Sequence, residues 1–98
     1  LANIELLREG DQHTFNEQIE YSRNHKKSVG CIVHSLDPHN IHSNNVRFVR
    51  KEDYARLLFD LLRGFDEIGV DVILVEAVPE VGIGEAVMDR LRKAAEKS

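Results

Sequence analysis

His34, His39 and His42 fall in one polar segment, and neutral imidazoles are good ligands for transition metals. Their spacing matches no established zinc pattern, and Cys31, the one cysteine, stands apart inside an apolar run. The segment therefore reads as a solvated polar loop, with a metal-using enzyme as a competing reading. Cys31 reads as a small core residue, because a nucleophilic role needs a lowered thiol pKa. Gly82-Ile83-Gly84 enters a helical pattern, and the free amides at a helix start attract anions. The dinucleotide fingerprint, however, wants a small residue where Val87 stands, and Glu85 would repel a phosphate. Two glycines making a tight strand-to-helix turn is the simpler account, since glycine supplies the positive φ of such turns. Nor do Arg8-Glu9-Gly10 offer paired acids for a divalent cation, and there is no Ser-His-Asp arrangement on a nucleophile elbow.

The elements that must position these groups follow from periodicity. Ile4, Leu6 and Leu7 before Gly10-Asp11 read as a strand and turn. Thr14-Phe15-Asn16-Glu17 is a capping-box pattern that predicts a helix start, its thin apolar stripe carried by Phe15 and Ile19. It ends in the basic run 23–27. Val29-Gly30-Cys31-Ile32-Val33 has the continuous apolar look of a strand buried on both faces, and Val46 to Val49 predicts a short third strand after the polar loop. Tyr54, Leu57, Leu58, Leu61, Leu62, Phe65 and Ile68 recur at spacings of three and four, which puts them on one helix stripe stopped by Gly69. Val72 to Val75 predicts a buried strand. A last helix from about Gly84 turns Val87, Met88, Leu91 and Ala95 inward. The order β-α-β-β-α-β-α predicts an α/β fold, a small three-layer sandwich with a mostly parallel sheet between helices. Ligands of such sheets bind beyond the carboxyl ends of the strands, here the loops Arg8 to Gln12, His34 to Asn45 and Glu76 to Gly84.

Composition narrows the partners. The 98 residues suit one domain; 42% are hydrophobic and 31% charged, a globular balance. Thirteen Lys and Arg against 17 Asp and Glu give a net charge of −4, which disfavours direct binding of nucleic acid. No stretch approaches the roughly 20 apolar residues of a membrane span, and a single cysteine implies a reducing, cytoplasmic setting. Leu1 in place of Met leads us to expect a fragment of a longer chain.

The blocks Ala55-Arg56-Leu57-Leu58-Phe59, Leu61-Leu62-Arg63-Gly64-Phe65-Asp66, Gly69 to Glu76, and Gly82 to Ala95 resemble the C-terminal accessory domain of two-domain threonylcarbamoyl-AMP synthases. The resemblance is specific in combination over 54–95 and looser before it. It implies a parent enzyme, a nucleotidyltransferase, that uses ATP with magnesium, threonine and bicarbonate to make threonylcarbamoyl-adenylate for the modification of tRNA adenosine-37. That chemistry belongs to a YrdC-like catalytic domain, and that domain and the linker that precedes the accessory domain are both expected to be absent from residues 1–98. The implied fold is a small Rossmann-like module, and the implied role is that of a non-catalytic accessory or regulatory domain working in cis, with no cofactor or metal of its own. Arg63, Asp66, Gly82, Gly84 and Arg90 match the family pattern and are the candidate ligand or domain-interface residues. For Arg63, Asp66 and Arg90 the competing reading is plain ion pairing at helix ends. The alternative function is a free-standing α/β module that binds a nucleotide or small anion at the carboxyl edge of its sheet.

Overall fold

Apolar runs too short for helices and rich in β-branched residues form the centre of the chain. In the computed structural model, which describes residues 2–97, they are strands β1 (Asn3–Leu7), β2 (Val29–Val33), β3 (Val46–Phe48) and β4 (Val72–Glu76). All pair in parallel, in the order β1-β4-β2-β3. The expectation of a mostly parallel sheet is met by a wholly parallel one: β3, despite its short connection from β2, lies at the edge beside it rather than forming a hairpin.

Side chains alternate across the sheet, so its two faces carry separate cores. Val29, Cys31, Val33, Val72 and Leu74 meet Phe15 and Ile19 of helix α1 (Gln12–Asn24). Ile32, Ile73 and Val75 meet helix α2 (Tyr54–Ile68), through Leu58, Leu62 and Phe65, and helix α3 (Ile83–Lys97), through Val87, Met88 and Leu91. This is the three-layer arrangement that the element order implies. Gly30 is part of the packing: a Cβ there would stand 2.6 Å from the Phe65 ring, so the missing side chain is the socket for that ring.

Three local expectations need correction. Helix α1 is capped by Asp11, whose Oδ1 accepts from the Thr14 amide at 3.1 Å and whose Oδ2 accepts from the Thr14 hydroxyl at 2.8 Å. Thr14 is thus a donor inside the first turn and not the cap, because the turn at Gly10 puts Asp11 at the chain's entry into the helix. Ile68 belongs to the stripe of α2 by spacing but is 61% exposed, standing at the last position of the helix, which Gly69 ends in a left-handed conformation (φ 83°). Strand β4 runs one residue beyond Val75 and takes Glu76 into the sheet.

Candidate functional site at the carboxyl edge of the sheet

Central strand β4 lies between β1 and β2, and the loops following β1 and β2 diverge around its carboxyl end. This is where open α/β sheets hold their ligands. Here the place is occupied by the chain itself. Glu76 stands two residues after Leu74, so its side chain projects on the same face as Leu74 and Val72, and it has no solvent exposure.

Its carboxylate is held by donors from both flanking loops. Oε2 accepts from the Gly10 amide at 2.8 Å and from the Ser35 hydroxyl, while Oε1 accepts from the amides of His34 at 2.9 Å and Ser35 at 3.1 Å. Gly10 adopts φ 77°, the left-handed conformation that turns its amide inward after β1. Burial alone pushes the carboxyl pKa up, but hydrogen bonds from Ser35 and from the amides of His34, Ser35 and Gly10 outweigh it and hold Glu76 below the ordinary value of 4.5. Hydrogen bonding to the charged form thus decides its state: a buried anion with its partners built in.

The groups around Glu76 complete the knot. His34 is buried, and its Nε2 donates to the Ala77 carbonyl at 2.7 Å. The same nitrogen lies 3.6 Å from Glu9 and 3.8 Å from Glu76. The ring packs edge-on against Tyr54, with centroids 5.2 Å apart. Tyr54 donates its hydroxyl to the Glu76 carbonyl at 3.0 Å, and burial, followed by the charges of Glu76 and Glu9, raises its pKa.

The histidines named from sequence are therefore not one group. His34 is buried in the knot, which corrects its placement in a solvated loop. His39 is exposed beside Asp37, with 3.3 Å between Nδ1 and Oδ1. His42 is exposed, and its amide and carbonyl tie the loop to Asn16 and Arg23 of α1. Among the described residues, no set of three His, Cys, Asp or Glu side chains is placed to hold a metal ion. Burial pushes the Cys31 thiol up to about 12, the state of an inert core cysteine.

The candidate residues Arg63, Asp66, Gly82, Gly84 and Arg90 do not converge either. Arg63 is exposed and pairs with Asp60 one turn earlier. Asp66 accepts from the Ala2 amide at 2.9 Å and so ties the start of β1 to the end of α2. Arg90 lies over the Phe59 ring, 4.4 Å from its centroid, and links α3 to α2. Gly82 has φ 57°, and a Cβ on Gly84 would stand 2.1 Å from the Pro79 carbonyl oxygen. The glycine pair thus serves a close turn, with the Pro79 carbonyl packed where a side chain on Gly84 would be. Beside it, Val78, Pro79, Val81 and Ile83 line an apolar groove of about 270 Å³ that reaches Ala55 at the start of α2. Val81 and Ile83 are 74% and 71% exposed.

Residues 2–96 match the family profile described as threonylcarbamoyl-AMP synthase, C-terminal domain. The chain belongs to that family. The threonylcarbamoyl-AMP synthase of Pyrococcus abyssi is 61% identical over 44 residues, which are 45% of this chain and 13% of the relative; that of Bacillus subtilis is 49% identical over 49 residues, 50% of this chain and 14% of the relative. The crystal structure of P. abyssi Sua5 complexed with L-threonine superposes with a TM-score of 0.78 at 38% identity, covering 95% of this chain and 27% of that one. A solved C-terminal Sua5 domain from Pyrococcus horikoshii gives 0.72 at 28% identity, covering 93% of this chain and 90% of the other. The chain therefore spans only a small part of the curated relatives it matches, and covers most of the solved P. horikoshii domain.

Glu76, which the sequence pattern puts at the start of a loop, is instead the centre of this structure. The available signal was its position: an acid that continues the Val72–Val75 run without a break and shares a face with Leu74.

Proposed function

We propose that this chain is a non-catalytic accessory domain of a threonylcarbamoyl-AMP synthase, acting in cis on a YrdC-like catalytic domain in the cytoplasm. The parent reaction joins ATP, with magnesium, to threonine and bicarbonate and yields threonylcarbamoyl-adenylate for tRNA modification; the nucleotide belongs to the catalytic domain. The observation that carries this reading is the buried Glu76 carboxylate, which fills with four internal hydrogen bonds the position where an α/β sheet of this kind would take a ligand. It opposes the alternative of a nucleotide-binding module, since an incoming phosphate would meet a fixed negative charge. Among the described residues no helix is long and apolar enough to cross a membrane.

In this reading Gly82 and Gly84 shape the turn that presents Val81 and Ile83 to the catalytic domain, Arg63 and Arg90 border α2 and α3, and Asp66 fixes the chain's entry into β1. The test is pyrophosphate release from ATP, threonine and bicarbonate. The chain alone should give no turnover, and a catalytic domain should be less active without this domain than joined to it. Turnover by the isolated chain would overturn the proposal.

A further inference from the structure

The donors around Glu76 form a recognisable receptor. Two backbone amides from the loop after β2, one from the loop after β1, and the Ser35 hydroxyl converge on one carboxylate with no solvent exposure. Amides aimed from separate loops at one point make an anion-binding concavity. Its occupant is attached to β4 by the side chain's own methylene groups, so the ordering cost that a free ion would meet is already met by the fold. Ala77 continues the chain beyond Glu76, its amide donating to the Leu7 carbonyl at 2.8 Å.

We propose that the carboxyl edge of the sheet is a built-in receptor for a small carboxylate, filled by Glu76, and that it accepts free acetate or formate when the Glu76 side chain is cut back. The occupant is a monocarboxylate rather than a phosphate because the donors meet two oxygens, two donors on each, and because Glu9 stands beside the cradle, 3.6 Å from the His34 ring nitrogen. The charged and titratable groups around Glu76 are Glu9 from the loop after β1, His34 from the end of β2 and Tyr54 from α2. The two loops are held closed by this one ion, so losing it should loosen Gly10, His34 and Ser35 together.

The experiment uses the 98-residue chain with Glu76→Ala. At neutral pH, 100 mM sodium acetate should raise its melting temperature by about 3 °C more than equal sodium chloride does, with formate acting similarly and the unaltered chain showing no such difference. If Glu76→Ala is unfolded in chloride, recovery of a dispersed amide spectrum in acetate is the same result. Equal response to acetate and chloride in a folded Glu76→Ala variant overturns the proposal, as does a preference for phosphate over both carboxylates. If the variant folds in neither salt, Glu76→Gln decides: amide hydrogen exchange at Gly10, His34 and Ser35 should speed up at least about tenfold relative to the centre of β4, following the lost charge-assisted bonds. Unchanged protection at those three amides overturns it.

Discussion

Two corners of this domain invite an anion, and they work in opposite ways. The turn 79–84 has the glycines, the helix start and an open apolar groove, yet Gly82 serves a left-handed turn and Gly84 a close approach of the Pro79 carbonyl. The end of β4 carries no glycine motif and an acid, yet it is there that amides from two loops converge on a buried negative charge. The difference teaches that glycine spacing reports backbone crowding first. A binding concavity is made by where strands end, and here the fold closes that concavity with its own side chain.

The comparison breaks most sharply at Glu76. Glu76→Leu removes the acceptor of three amides and a hydroxyl, and unsatisfied buried donors should cost about 4 kcal/mol in all, a fall in melting temperature of roughly 20 °C. A change near zero by thermal unfolding would show that the carboxylate is dispensable. Next is Gly84→Ala, which drives a Cβ into a backbone carbonyl and should cost about 2 to 3 kcal/mol by denaturant titration. Wild-type stability in that variant would reopen the turn as a ligand cradle.

Acid sharpens the same contrast. The folded-state pKa of Glu76 lies below its ordinary 4.5, so its contribution is fully present above that pH and is lost as pH falls through the lowered folded value. Unfolding measured from pH 7 to pH 3 should show Glu76→Gln less stable at neutral pH, with the gap to the unaltered chain closing below about pH 4.5. A constant gap would contradict the ionised state. The smallest effect belongs to Arg63→Ala, whose exposed pair with Asp60 should change stability by no more than about 0.5 kcal/mol. A larger loss would mean that Arg63 has a partner beyond that pair.

Periodicity carried most of the fold, because each long element buries one coherent stripe: the spacing from Tyr54 to Phe65, the buried run Val29–Val33 and the stop at Gly69 are local patterns with local causes. The site was less accessible. Glu76 and Ser35 are far apart in the chain and meet only through the parallel crossover that inserts β4 between β1 and β2. His34 looked like its neighbours His39 and His42, and only the boundary of β2 separates a buried ring from exposed ones. Thr14 carries the helix-start pattern while Asp11 reads only as part of a turn, and it is the turn geometry at Gly10 that makes Asp11 the cap.

The central claim, that the ligand end of the sheet is closed by Glu76, is tested most directly by following the amide resonances of Gly10, His34 and Ser35 while ATP is added to the chain at neutral pH. The account predicts that these three amides stay in place up to millimolar ATP. A saturable shift centred on them would contradict it.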